Sequence, residues 1–170
     1  MQEYPGVLAE PEELREIMKK IASFTINHDL LQPGMYISRI DGDCVTYDLR
    51  MKVPNAGDYL DQKGLHTLEH LLATYLRNSG SADRVIYTGP MGCRTGFYLV
   101  MRDTVAPEDA VRLVREAFRF AADFEGEIPG ASRTECGNWL DHDLRNAKAE
   151  AAAYLRVLEH CSADTMTYPE

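Results

Sequence analysis

The chain has no apolar run long enough to cross a bilayer, which takes about 18 residues or more. Its first residues, Met1-Gln2-Glu3-Tyr4-Pro5, put no basic flank before an apolar stretch, so they do not read as a signal peptide. Positive charge is scarce: 18 Lys and Arg stand against 27 Asp and Glu, for a net charge of −9. No basic stripe exists to neutralise phosphates, which excludes nucleic acid as a partner, and an anionic membrane surface is equally disfavoured. There is no G-x-G-x-x-G after a strand and no P-loop, so a doubly wound nucleotide fold is not expected. Repeats, low-complexity tracts and linkers are also missing. Cysteines number four, Cys44, Cys93, Cys136 and Cys161. Without a secretory signal they read as reduced thiols in a cytoplasmic chain, where a cysteine is a ligand, a catalyst or a small buried apolar residue.

What is present suits one domain over 1–170: 170 residues, 45% of them apolar, are enough for a real core. Pro11, Glu12 and Glu13 open a first helix over 11–22, with Leu14, Ile17, Met18 and Ile21 as its stripe. Ser23 to His28 reads as extended. Met35–Ile40 and Cys44–Val53 read as strands around the turn Asp41-Gly42-Asp43. In the second strand Val45, Tyr47 and Leu49 alternate with Thr46, Asp48 and Arg50, so Arg50 faces away from the apolar side, as a solvated charge would. After a polar loop over 54–64 comes a leucine-rich helix ending near Asn78-Ser79-Gly80. Arg84–Thr88 and Phe97–Met101 read as two more strands, then helices follow at about 107–123 and 141–159, with a glycine-rich loop over 125–139 between them. Strands joined by hairpins rather than regular crossovers predict an α+β fold, an antiparallel β-sheet with helices packed on one face.

The chemistry centres on His66-Thr67-Leu68-Glu69-His70 in the leucine-rich helix. His66 and His70, four apart, share one face, and Glu69 lies close to it. Two imidazoles one turn apart can bind a single metal ion with a carboxylate beside it as acid or base. This is the H-x-x-E-H order. The plain alternative is two structural histidines on a half-buried helix. A catalytic metal needs a third ligand, and Glu135, Cys136 and Cys93 are the candidates. Cys93 sits in Pro90-Met91-Gly92-Cys93-Arg94-Thr95-Gly96, a loop that can present a thiol at a controlled position. Arg94 beside it is a candidate to favour the thiolate. Spacing alone leaves a peptidase that uses Glu69 as base and Glu135 as ligand, and a non-catalytic metal-binding dimer, as rivals.

Taken together, several blocks in this order closely resemble the LuxS family of S-ribosylhomocysteine lyases, which make the autoinducer-2 precursor. They are His66–Ala73, Pro90–Tyr98 and Glu135-Cys136-Gly137-Asn138, supported by Ser23–His28 and Tyr47–Arg50. The likeness runs over roughly 21–158. It implies His66, His70 and Cys136 as ligands of one divalent metal ion per chain, ferrous iron in the cell and zinc or cobalt after purification, with no organic cofactor. Glu69 and Cys93 are implied as the acid–base pair, and Ser23, His28 and Arg50 as substrate-binding residues. It also implies a homodimer with shared active sites. The chain departs from the family pattern at Tyr87, where an acidic residue is expected, and at Asn27 before His28. Residues 1–20 look like a helical extension, and the loop between Arg50 and His66 is about one residue longer. These departures bear on contacts to the homocysteine amino group, not on the metal or acid–base residues.

Overall fold

A computed structural model describes residues 20–170. Four strands form one antiparallel sheet: β1 (Gly34–Asp41), β2 (Cys44–Arg50), β3 (Val85–Pro90) and β4 (Gly96–Arg102), in the order β1-β2-β4-β3. Three helices complete the α+β fold: α1 (Gln62–Asn78), α2 (Pro107–Asp123) and α3 (Leu144–Leu158). Most of the predicted first helix, 11–22, lies outside the described residues.

The turn at Gly42 has φ +61, a conformation glycine adopts without strain, and it closes the β1–β2 hairpin. Alternation along the strands sends Val45, Tyr47 and Leu49 of β2 and Phe97, Leu99 and Met101 of β4 into one core. Leu65, Leu68, Leu72 and Leu76 of α1 meet them there, with Val111, Val114 and Phe118 of α2 and Ala147, Ala151 and Tyr154 of α3. Caps set the helix starts. Asp61 accepts from the Lys63 and Gly64 amides ahead of α1, and Asp143 accepts from Asn146 ahead of α3. Two side chains tie helices to the sheet. The Tyr154 hydroxyl donates to the Gly34 carbonyl at 2.7 Å, and Arg77 donates to the carbonyls of Val85 and Ile86.

Three expectations need correction. Ser23–His28 is not extended: Ala22–Phe24 is a single 3-10 turn, held by Phe24 and Thr25 amides bonding back to Ile21 and Ala22. The last helix starts at Leu144 rather than Asp141, because Asp143 caps it. Arg50 is not a solvated charge. It is 2% exposed, paired at 2.6 Å with Asp48, itself 0% exposed. Period two did put both on the face away from the helices, yet that face is covered there. Tyr168, near the C-terminus, stacks on Tyr36 and donates its hydroxyl to Asp48 at 2.8 Å.

Candidate metal centre and thiol loop

Along α1 two stripes diverge. Leu65, Leu68 and Leu72 point into the core, while His66, Glu69, His70 and Ala73 line an open cleft of about 480 Å³ with Pro129, Gly130, Glu135 and Cys136. The loop before α3 forms the far wall. It supplies two carbonyls that orient the histidines: His66 Nδ1–H donates to Asp141 at 2.8 Å, and His70 Nδ1–H donates to Pro129 at 2.7 Å. Each bond places the proton on Nδ1 and leaves an Nε2 lone pair for a metal, the usual support of a metal-binding histidine. Gly130 lets the loop come this close. It has φ +68, and a Cβ there would sit 3.3 Å from His70 Nδ1.

Cys136 Sγ lies 3.4 Å from His66 Nε2. A nitrogen and a sulfur bound to one tetrahedral ion are about 3.5 Å apart, so the spacing fits a shared ion. Of the other candidates for the third ligand, Glu135 is held by the Ser132 hydroxyl. Cys93 does not line this cleft. The donor atoms of His66, His70, Cys136 and a further residue, His142, all lie within 4.8 Å of one another. Sequence reasoning missed His142. Its only signal was its position six residues after Cys136 in the same loop, a spacing that is no metal pattern by itself. Burial holds its imidazole below the usual histidine range, and the nearby His66 and His70 add to that.

The thiol loop is a separate unit. Cys93 is exposed at the tip of the β3–β4 connection. Met91 bonds to Gly96 across the loop, and Arg94, at φ 58, bonds back to Met91. Arg94 does not reach the thiol: its guanidinium lies over the Tyr59 ring and donates to the Leu60 carbonyl. The cation linked to Cys93 is Arg50. It donates to Thr95 Oγ1 at 2.6 Å, and Thr95 Oγ1 lies 3.0 Å from Cys93 Sγ. Because Arg50 can only donate, the Thr95 hydrogen is free for the sulfur. Sequence reasoning passed over Thr95, a small polar residue at the end of a loop, and Asp48, which alternation alone marks as a surface strand residue.

Ser23 borders a small cavity of about 260 Å³ on the sheet face away from the helices, with Ser38, Thr46, Tyr87 and Tyr98. His28 is half-buried, and its Nδ1 bonds to the Ile26 carbonyl at 3.0 Å. Tyr87 is 54% exposed on the same face. Neither Ser23, His28, Arg50 nor Cys93 lines the cleft that holds His66, Glu69, His70 and Cys136. The expected site residues therefore do not share one cavity: the metal cleft stands apart from Arg50 and Cys93, which Thr95 links, and Ser23 borders a third place.

A family model described as S-ribosylhomocysteinase (LuxS) matches residues 21–165. The chain belongs to the LuxS family. An S-ribosylhomocysteine lyase of Phocaeicola vulgatus is 54% identical over 158 residues, covering 89% of this chain and 98% of the relative. One from Clostridium acetobutylicum is 49% identical, covering 90% and 100%. A lyase of Borreliella afzelii is 43% identical, covering 89% and 100%. The family match begins at the 3-10 turn before β1, so it takes in Ser23 as well as the metal centre and the thiol loop.

Proposed function

We propose that the chain is an S-ribosylhomocysteine lyase, releasing homocysteine and 4,5-dihydroxy-2,3-pentanedione, the autoinducer-2 precursor. The observation that carries this reading is the pair of histidines with tautomers set by Asp141 and Pro129, facing Cys136 in a cleft that Glu69 also lines. His66, His70 and Cys136 hold one divalent metal ion, ferrous iron in the cell and zinc or cobalt after purification. Two nitrogens and one thiolate with one position open is the donor set of a catalytic rather than a structural centre. A metal bound there supplies Lewis acidity, which makes the C–H beside a carbonyl easier to ionise.

The protein's own groups then move protons. The substrate is a ribose whose C5 carries homocysteine sulfur, with an aldehyde at C1 in its open form. One of Glu69 and Cys93 removes the C2 proton and a proton returns at C1, which places the carbonyl at C2. A second round places it at C3. Loss of the C4 proton then breaks C5–S, and the thiolate takes up a proton as homocysteine. The remaining enol tautomerises to the diketone, so no oxidant and no organic cofactor is required. Such shuttling suits one carboxylate and one thiol. Arg50, Ser23 and His28 hold the substrate, Arg50 from the side of the thiol loop.

The separation of the metal cleft from the thiol loop within one chain supports a homodimer with shared sites, in which the cleft of one subunit faces the thiol loop of its partner. The sheet face that carries Tyr87, 54% exposed among the described residues, supplies a surface for that contact. A cytoplasmic location fits a chain in which, among the described residues, no helix is long and apolar enough to cross a membrane and all four cysteines are unpaired. The test is thiol release from S-ribosylhomocysteine by metal-replete protein. Release of free thiol with one equivalent of the diketone is expected, and no release would overturn the reading.

A further inference from the structure

His142 has no place in the proton shuttle or the ligand set above, yet it is built into the centre. Thr67, fully buried on α1, donates its one hydroxyl hydrogen to the Lys63 carbonyl at 2.9 Å. Its oxygen accepts from the Asp143 amide at 2.9 Å and lies 3.1 Å from His142 Nδ1. With the Thr67 hydrogen committed, Nδ1 is the donor in that last bond. The Nε2 of His142 is then a bare lone pair. It is buried and has no hydrogen-bond partner among the described residues. An unpaired buried acceptor is costly, so it calls for an occupant.

Ring geometry decides what that occupant is. A metal ion lies in the plane of each imidazole that binds it, because the lone pair lies in that plane. The rings of His66 and His70 stand at 83° to each other, so their planes cross and one ion can sit in both. His142 stacks on His66, 4.1 Å away and only 19° from parallel. Two such planes do not meet at the site. His66, 3.4 Å from Cys136 Sγ, takes the ligand position, and His142 is left outside the coordination sphere. It lines an adjoining cavity of about 870 Å³, and its donor atom stays within 4.8 Å of those of His66, His70 and Cys136.

We propose that His142 is an acceptor that positions the oxygen ligand at the open coordination place, water at rest and a substrate hydroxyl in turnover. Thr67 fixes its tautomer for that task. The inference rests on the lyase reading for the identity of the substrate, but its main test does not.

Cobalt-loaded wild type, His142→Ala and His142→Gln are titrated with acetohydroxamic acid, a small oxygen ligand with a hydrogen to donate, and followed by the visible cobalt spectrum. All three should bind one cobalt per chain with the same thiolate charge-transfer band. The probe should bind about tenfold more weakly to His142→Ala, the worth of one hydrogen bond. His142→Gln, whose amide oxygen can stand near Nε2, should recover part of the loss. In thiol release, kcat should fall about 10–100-fold in His142→Ala, with a smaller change in KM. Loss of cobalt or of the band in His142→Ala would make His142 a ligand and overturn the proposal. Unchanged probe affinity, or a Gln variant no better than Ala, would overturn it as well. Absent thiol release by the wild type would count against the lyase reading, while the probe titration still judges His142.

Discussion

Cys93 and Cys136 illustrate how residue chemistry follows from neighbours. Cys136 is half-buried against an imidazole lone pair, where a thiolate can be held by a cation. Cys93 is exposed, with Thr95 and Arg50 behind it, so its sulfur is open to exchange a proton with a substrate carbon. Replacing the two should therefore have opposite signatures. With Cys136 as the proposed third ligand, Cys136→Ala would leave two nitrogens, so the protein should purify largely metal-free. Cys93→Ala should keep one metal per chain and lose about 10²–10⁴-fold in turnover, the worth of one positioned acid or base. Metal content by elemental analysis and thiol release check the pair, and the reverse pattern would exchange the two roles.

At the level of elements, the centre is made by a helix face and a loop pressed against it. The helix alone sets the His66–His70 spacing. The loop sets the ring orientations, and it reaches His70 only because Gly130 adopts φ +68 with no side chain. Gly130→Ala adds backbone strain of about 1–3 kcal/mol and puts a methyl group against the ring. The expected result is weaker metal binding with helix content retained. Competition against a chromophoric chelator, beside circular dichroism, measures both. An unchanged metal affinity would show that the carbonyl of Pro129 is not what holds His70.

For the whole molecule, the question is how a cleft and a thiol loop that do not share a cavity perform one reaction. In the homodimer proposed above, a two-fold axis would bring the cleft of one chain to the loop of the other and give each dimer two mixed sites. Sedimentation should give about twice the chain mass of 19.2 kDa. A mixture of Cys93→Ala and Cys136→Ala, each inactive alone, discriminates further. Half of randomly paired dimers are mixed, and each of those has one site with an intact cleft and an intact loop. Activity should therefore recover to about a quarter of wild type. If each chain carried its own complete site, mixing would restore nothing.

The linear order of residues determined a good deal by itself. Period-two alternation placed β2 and an apolar helical stripe placed α2, because burial of one face is a local constraint that the residue pattern records. His66, Glu69 and His70 were legible as one face because helix geometry alone links residues three and four apart. Other features required the fold. The loop that carries Cys136 and His142 meets α1 across some seventy residues of chain, and spacing carries no information about such a contact. Likewise Arg50 reads as a surface charge until Asp48 on its own strand, Thr95 from the next hairpin and Tyr168 from the C-terminal segment are brought around it. Burial of a charge is decided by what packs over it, and only the tertiary structure supplies that.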